Sequence, residues 1–178
     1  MIEEIKGWEE LSREEIFYKH GRGIEKVVFK MPDGKKEDFY LKKEALFVCT
    51  LALTKKQEVI LVRQFRPGPK KILLEMPGGT IDGDEDLTSA AERELLEETG
   101  YTGKVQFVAE SFLCAYSTAK KYCLVVTDCE KVAEQKLDAT EFIKVEIVSL
   151  SEFRQLLRSG QMSDVEVGYL GLDFLELL

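Results

Sequence analysis

The sequence predicts an α/β fold in which a mixed β-sheet lies between helical layers, with an antiparallel β segment at the N-terminus. Three observations support this prediction. Apolar runs of strand length recur along the chain, one amphipathic stretch near the middle has helical spacing, and two further helical stretches close the chain. Strands mixed with a few helices favour an α/β/α sandwich, because helices must cover the sheet.

Residues 1–43 are predicted to form short strands, and we treat them as an N-terminal β segment ahead of a main domain at 44–178. Within this segment, runs at 25–31 and 37–42 flank the turn sequence at 32–35, which contains Pro, Asp and Gly. The main domain is predicted to contain strands at 45–53, 58–62, 72–76, 105–114, 121–127 and 142–148. Two helices are predicted after them, at 151–158 with Ser151 as the N-cap and at 164–178.

The central helix is predicted to run from Asp86 to Thr99, after a glycine turn that ends the strand at 72–76. Asp86 and Ser89 are both suitable N-caps, and Ser89 forms a capping-box pattern with Glu92. Gly100 is a suitable residue to end the helix. The apolar positions at helical spacing form the buried stripe, which comprises Leu87, Ala90, Ala91 and Leu95.

Composition limits the classes of function. A chain of 178 residues can form one domain or one domain with a small extension. The formal net charge of -8 argues against non-specific binding to nucleic acid. The N-terminus lacks the apolar centre of a secretory signal, and the longest apolar stretch, at 45–54, is about half a membrane span. We therefore expect a cytoplasmic protein without a nucleic-acid or membrane partner.

Carboxylates are the main residues available for chemistry. The four cysteines form no C-x-x-C pair, and Cys49 and Cys123 lie in apolar runs typical of buried thiols. His20 is the only histidine, which excludes a His-rich zinc site. Any catalysis is therefore expected to depend on carboxylates and a metal ion.

Glu94, Glu97 and Glu98 are spaced so that they share one face of the central helix. Three negative charges repel each other, and the helix dipole disfavours anions near the C-terminal end. Hard divalent cations bind oxygen ligands of this kind, often together with substrate phosphates. The pattern indicates a metal site that handles phosphate, although a solvated acidic face is the structural alternative.

The spacing of these residues resembles the signature of the Nudix hydrolase family. The fixed positions of that signature are met by Gly79, Glu85, Arg93, Glu94, Glu97, Glu98 and Gly100. Leu95 matches an aliphatic position, whereas Tyr101 stands where an aliphatic residue is usual. The resemblance implies the α/β/α sandwich of that family.

The resemblance also implies a role for each signature residue. Glu94 and Glu98 are the expected direct ligands of Mg²⁺, or alternatively Mn²⁺, and Glu97 completes the set. The Gly79 carbonyl adds an oxygen, and Glu85 binds through water or braces the site. Arg93 is expected to face away from the metals and to fix the glutamates by ion pairing.

The residue that activates water is expected in a loop outside the signature. Glu134, Asp138 and Glu141 are the candidates, and each is about as readily explained as a solvated carboxylate. We favour Glu141, because residues 141–145 resemble the end of the corresponding loop in ADP-ribose pyrophosphatases.

Residues outside the signature resemble the branch that cleaves ADP-ribose and other nucleoside diphosphate sugars. Arg66 and Glu75 match substrate-binding positions there, with Arg63 as a weaker candidate, and a charge at a strand edge is the alternative for both arginines. The implied reaction converts ADP-ribose to AMP and ribose 5-phosphate. Alternatives are GDP-mannose, a dinucleoside polyphosphate, NADH, or a binding module without catalysis.

This chain departs from the ADP-ribose branch of the family in one region, and the resemblance to that branch also implies an oligomeric state. Residues 112–122 lack the Ser-Pro-Gly type of turn found in many ADP-ribose pyrophosphatases, and Tyr116, Lys120 and Lys121 are candidates to contact substrate there. Relatives in this branch form dimers by exchanging the N-terminal segment, so a homodimer is expected. The aromatic residues of that segment are candidates either to stack on a base or to form core, namely Trp8, Phe17 and Phe29.

Overall fold

A computed structural model describes residues 5–178, and the chain divides into two compact units. One unit comprises the described residues up to Ala45 together with Phe112–Lys120, and the other comprises Leu46–Ser111 and Lys121–Leu178. Residues 1–4, which belong to the N-terminal segment considered above, lie outside the described residues.

The first unit is built on a three-stranded antiparallel sheet of β1 (Glu9–Lys19), β2 (Arg22–Lys30) and β3 (Lys36–Glu44), in that order. The predicted hairpin is confirmed: the Met31 amide donates to the Lys35 carbonyl at 2.8 Å, and Gly34 turns the chain with φ 86°. The strands are not short as predicted, since β1 alone has 11 residues. The three strands are longer than predicted because they pair with one another along nearly their whole length.

Three aromatic rings form a cluster in this unit. Trp8 lies 6.1 Å from Phe29 and 5.2 Å from Phe39 between ring centroids, and the two phenylalanines are 5.9 Å apart. Trp8 and Phe29 therefore pack against each other, although Trp8 remains 48% exposed and is not part of a buried core. Phe17 is 56% exposed.

A seven-stranded mixed sheet and three helices account for the remaining elements. The strands are β4 (Phe47–Thr54), β5 (Val59–Arg66), β6 (Lys71–Glu75), β7 (Gly78–Thr80), β8 (Tyr101–Phe112), β9 (Lys120–Lys131) and β10 (Lys144–Val148). The helices are α1 (Leu87–Thr99), α2 (Leu150–Ser159) and α3 (Val165–Phe174). The strand order is β10-β5-β4-β9-β8, with β6 paired to β5 and β7 to β4; β4 and β9 pair in parallel, whereas β5 pairs antiparallel with β4, β6 and β10.

Strand β4 shows why this unit forms layers. Successive side chains of a strand point to opposite faces of the sheet. Val48 belongs to the buried cluster that contains Ala91 of α1, whereas Leu51 belongs to the cluster that contains Phe153 of α2 and Leu172 of α3. Helix α1 therefore covers one face, α2 and α3 cover the other, and the predicted α/β/α sandwich is confirmed.

The predicted bounds of α1 are correct to within one residue. Asp86 is the N-cap and accepts hydrogen bonds from the amides of Thr88 and Ser89 at 3.0 and 3.1 Å. The alternative start at Ser89 is wrong, because the Ser89 hydroxyl donates to Asp86 within the first turn. Gly100 ends the helix in the left-handed region with φ 77°.

The ends of the last two helices differ from the prediction. The N-cap of α2 is Ser149 rather than Ser151, because Ser149 and Glu152 form a reciprocal capping box. Helix α3 ends at Phe174 rather than at the last residue. Glu176 has φ 57°, and the Leu177 amide donates to the Leu172 carbonyl at 2.7 Å, which closes the helix end.

Strand lengths also differ, because sheet pairing decides them. Strand β5 continues to Arg66, since β6 pairs with it through that residue. Gly78–Thr80 forms the short strand β7 against β4, where the sequence indicated only a loop.

Across residues 5–178, none of the helices combines the length and apolar character required to cross a bilayer.

Candidate active site

The glycine turn and the C-terminal half of α1 meet on the face of the sheet that α1 covers. Gly78 and Gly79 lie in β7, which pairs with Val48 and Cys49 of β4. A Cβ at Gly78 would lie 2.2 Å from the Val48 carbonyl oxygen, so this position requires glycine. The turn therefore approaches the sheet closely enough to bring its backbone to the glutamates of α1.

Two glutamates of α1 contact this turn directly. The Gly78 amide donates to Glu98 Oε2 at 2.9 Å. A Cβ at Gly79 would lie 2.3 Å from Glu94 Oε1, so the absence of a side chain there makes room for the Glu94 carboxylate. The predicted grouping of Gly79 with Glu94 and Glu98 is present in the structure.

The glutamates differ in burial, and burial shifts their pKa values. Glu98 is 4% exposed, whereas the side chains of Glu94 and Glu97 are 13% and 35% exposed. Burial raises the pKa of Glu98 to about 8; the charges of Glu94 and Glu141 add to the shift, and the Gly78 amide opposes it. Burial also raises the pKa of Glu94, against the effect of Arg93. A cation would relieve the energetic penalty of ionising both groups.

Arg93 connects Glu85 to the glutamate cluster of α1, by which we mean Glu94, Glu97 and Glu98. Its guanidinium donates to Glu85 at 2.9 Å, to Glu94 at 2.9 Å and to Glu97 at 3.3 Å, and also to the Thr80 carbonyl at 2.9 Å. The hydrogen bonds from Arg93 hold the pKa of the Glu85 carboxyl below its usual range. Arg93 therefore ion-pairs with three glutamates, Glu94 among them, and its orientation relative to a bound metal stays a prediction.

Burial is the main cause of the raised pKa of Glu94 and Glu98, and the charge of Glu141 adds to it, so Glu141 lies within electrostatic range of both. Its carboxylate accepts a hydrogen bond from the Asp138 amide at 3.0 Å, and Asp138 itself is exposed. Glu134 has a side chain 91% exposed and pairs with Lys131 at 3.2 Å. The structure thus brings Glu141 toward the cluster and leaves Glu134 at the surface.

The two candidate arginines occupy different surroundings. Arg66 donates to Glu75 at 2.7 Å, and its charge lowers the pKa of Glu98, so it lies near the cluster. Arg63 forms two hydrogen bonds of 2.6 and 2.8 Å to Glu146 across the β5–β10 pair. The Arg63 guanidinium is therefore engaged between two paired strands in the interior of the sheet rather than at a sheet edge.

Lys121, a candidate to contact substrate, is buried and neutralised. It is 4% exposed, pairs with Asp164 and Glu166 at the start of α3, and lies 5.5 Å from the centre of the Phe47 ring. Its ammonium group therefore anchors α3 to the sheet.

Sequence reasoning missed two contacts of the site. Ser163 donates to Glu75 Oε1 at 2.7 Å, on the oxygen that Arg66 leaves available. Gln135 donates to the Glu98 carbonyl at 2.6 Å. Ser163 and Glu75 are far apart in the sequence, and no local pattern signals their contact; Gln135 lies in the loop already considered for the base.

The donor set fits a hard divalent cation that shares its coordination with substrate. Among the described residues, no three His, Cys, Asp or Glu side chains converge into a ready-made metal cluster. Mg²⁺ usually retains waters and is held by one or two carboxylates together with substrate phosphates. The buried Glu98, together with Glu94 against the Gly79 backbone, supplies two such carboxylates.

Comparison with known proteins identifies the family. The family model described as the NUDIX domain matches residues 43–166, and the chain belongs to the Nudix family. It is 32% identical over 172 residues to the ADP-ribose pyrophosphatase of Bacillus subtilis (strain 168), covering 94% of this chain and 91% of that protein.

Two further comparisons agree with this result. The chain is 31% identical over 150 residues to the ADP-ribose pyrophosphatase of Saccharomyces cerevisiae, covering 74% of this chain and 65% of the yeast protein. A crystal structure of an ADP compounds hydrolase has the same fold, with a TM-score of 0.80 at 19% identity over 99% of this chain and 100% of that one. The protein is therefore a Nudix hydrolase similar to ADP-ribose pyrophosphatases.

Proposed function

We propose that this protein hydrolyses the pyrophosphate bond of ADP-ribose in a Mg²⁺-dependent reaction, giving AMP and ribose 5-phosphate. The observation that carries the proposal is the buried Glu98, held against the glycine turn beside Glu94 and within the field of Glu141. The choice of ADP-ribose is supported by the names of the Bacillus subtilis and Saccharomyces cerevisiae relatives.

In the proposed reaction, Glu94 and Glu98 would bind the cation, with Glu97 and the Gly79 carbonyl adding oxygen ligands. Mn²⁺ is the alternative to Mg²⁺. When bound, such a cation neutralises phosphate charge and makes a water molecule more acidic. Arg93 would keep the carboxylates in place through its hydrogen bonds to Glu85, Glu94 and Glu97.

Glu141 is proposed as the general base. It takes a proton from the attacking water, whose oxygen forms a bond to one phosphorus as the bridging P–O bond breaks. The leaving phosphate departs with the bridging oxygen. Arg66 is proposed to bind the diphosphate, with Glu75 holding its guanidinium at 2.7 Å. Arg63, which is paired with Glu146, is proposed to contribute mainly by joining β5 and β10.

The test is product analysis with matched variants. The wild type is incubated with Mg²⁺ and, separately, ADP-ribose, GDP-mannose, NADH or a diadenosine polyphosphate, and products are identified by chromatography and ³¹P NMR. We expect AMP and ribose 5-phosphate from ADP-ribose at the highest kcat/KM. Glu141→Gln should lower kcat by about 100-fold or more, whereas Glu134→Gln, at a 91% exposed position, should not. Equal losses in both variants, or no ADP-ribose turnover, would contradict the proposal.

A homodimer through the N-terminal segment is part of the proposal. Every residue of β1 is exposed, and β1 is an edge strand of its sheet. Long exposed edge strands with apolar side chains, such as Phe17 at 56% exposure, are normally covered. We expect a dimer by sedimentation analysis at micromolar concentration and a shift toward monomer in Phe17→Lys; a wild-type monomer would refute this.

A reducing cytoplasmic location is proposed because all four cysteines are free.

A further inference from the structure

The loop between β9 and β10 lies across the C-terminal end of α1. The amides of Val132 and Ala133 donate to the Gly100 carbonyl at 2.9 and 3.2 Å, and the Lys136 amide donates to the Glu97 carbonyl at 2.9 Å. The last carbonyls of a helix lack partners within the helix. This loop supplies them, so the segment that carries Glu141 is attached to the segment that carries Glu97.

Gln135 extends this attachment with its side chain. Its Nε2 donates to the Glu98 carbonyl at 2.6 Å and to the Ile143 carbonyl at 3.3 Å. A glutamine amide has two N–H donors, so one group can serve both carbonyls. The contact to Ile143 joins the beginning of the loop to its end, and the contact to Glu98 fixes both to α1.

Glu141 lies inside the loop that Gln135 closes. The Glu141 amide donates to the Asp138 carbonyl at 3.0 Å, and the Glu141 carboxylate accepts from the Asp138 amide at 3.0 Å. These bonds make a compact turn from 138 to 141, which ends two residues before Ile143. Burial of Ile143 and the β5 pairing of β10, which begins at the next residue, fix the end of this turn, and Gln135 ties that end to the Glu98 backbone.

The loop has space to move if this connection is lost. A cavity of about 370 Å³ lies beside Gln135 and is also lined by Thr99 and Ile143. The loop consists of residues 132–143 between two strands and contains no helix or strand of its own. Backbone hydrogen bonds to the Glu97 and Gly100 carbonyls tie the loop to the C-terminal end of α1, and the burial of Ile143, which is 8% exposed, holds its far end.

We propose that Gln135 is a positioning residue that holds Glu141 at a fixed place relative to Glu98. This inference rests on the proposed function in so far as Glu141 is the base. Without the side-chain amide, the turn at 138–141 samples several positions and fewer of them are productive. Misplacement of a reacting group by about 1 Å can lower a rate by about 100-fold. The effect should fall on kcat, because Gln135 itself does not touch the substrate-binding pair of Arg66 and Glu75.

The kinetic test uses Gln135→Met, which keeps the length of the side chain and removes its donors. We expect kcat for ADP-ribose to fall about 10- to 100-fold with KM changed less than about threefold. Added to Glu141→Gln, the same substitution should have almost no further effect, because groups that act through one another are not additive. A full additional loss in that background would overturn the proposal. Gln155→Met, an exposed glutamine on α2, is the matched control.

A second readout is independent of activity. Amide hydrogen exchange is measured on metal-free wild type and variant, and the amides of Lys136 and Glu141 should exchange at least tenfold faster in Gln135→Met. Gln135→Asn keeps both donors on a shorter side chain and should show smaller changes in exchange and in kcat. Unchanged exchange in both variants would overturn the inference even if ADP-ribose is cleaved. Faster exchange in Gln135→Met, together with a wild type that cleaves no ADP-ribose, would contradict the proposed function and leave the attachment of the loop supported.

Discussion

The burial of Glu98 predicts an unusual dependence of stability on pH in the metal-free protein. Its pKa is about 8 in the folded chain, against an ordinary value of 4.5. The folded state therefore holds this proton more tightly than the unfolded state does. The associated stability is fully present below pH 4.5 and is lost as the pH rises through 8.

The magnitude follows from the width of this window. Each pH unit between the two pKa values changes the free energy of unfolding by about 1.4 kcal/mol, so the total is on the order of 3–5 kcal/mol. Glu94 acts in the same direction, because burial also raises its pKa. Glu98→Gln remains uncharged at every pH, while its amide oxygen can still accept the hydrogen bond from Gly78. The variant should be more stable than the wild type at pH 8 without metal.

The assay is urea denaturation in EDTA between pH 5 and pH 8.5. The wild type should lose stability across this range much faster than Glu98→Gln, and Mg²⁺ should restore stability at pH 8 only in the wild type. Glu134→Gln removes the same formal charge at an exposed position and serves as the control. Parallel pH curves for wild type and Glu98→Gln would refute the reasoning.

Two further substitutions test other parts of the site. Gly79→Ala places a Cβ 2.3 Å from Glu94 Oε1, so the carboxylate must move, and Mg²⁺ affinity measured by calorimetry should fall about tenfold or more. Ser163→Ala removes the 2.7 Å hydrogen bond to the buried Glu75, which leaves Arg66 less well held, and KM for ADP-ribose should rise about fivefold with kcat nearly unchanged.

Each of these has a matched control. Gly68→Ala introduces a Cβ with no atom within 4 Å, and should leave Mg²⁺ affinity unchanged. Ser151→Ala removes an exposed hydroxyl on α2 and should leave KM unchanged. Wild-type affinity in Gly79→Ala would show that Glu94 does not need its present position. Wild-type KM in Ser163→Ala would show that the Glu75 contact does not position Arg66.

Local sequence patterns predicted the helix that carries the candidate glutamates and its bounds. The spacing of Glu94, Glu97 and Glu98 placed them on one helix face, and the bounds of α1 followed from Asp86 and Gly100. These features depend on residues a few positions apart, which is the range over which helix geometry and capping act.

Contacts between distant segments could not be predicted in the same way. Ser163 reaches Glu75, and Gln135 reaches Glu98, only because the chain returns to the same region after forming the sheet. The start of α2 was misplaced although the sequence carries the signal: Glu152 follows Ser149 at the capping-box spacing, whereas Arg154 stands at that spacing from Ser151.

The most direct test of the account is the location of the metal. A crystal grown with Mn²⁺ and a non-hydrolysable ADP-ribose analogue should give an anomalous difference peak about 2–2.3 Å from carboxylate oxygens of Glu94 and Glu98, next to the diphosphate. The Glu141 carboxylate should lie on the water side of that peak. No peak at these glutamates, with the analogue bound elsewhere, would contradict the assignment of the site.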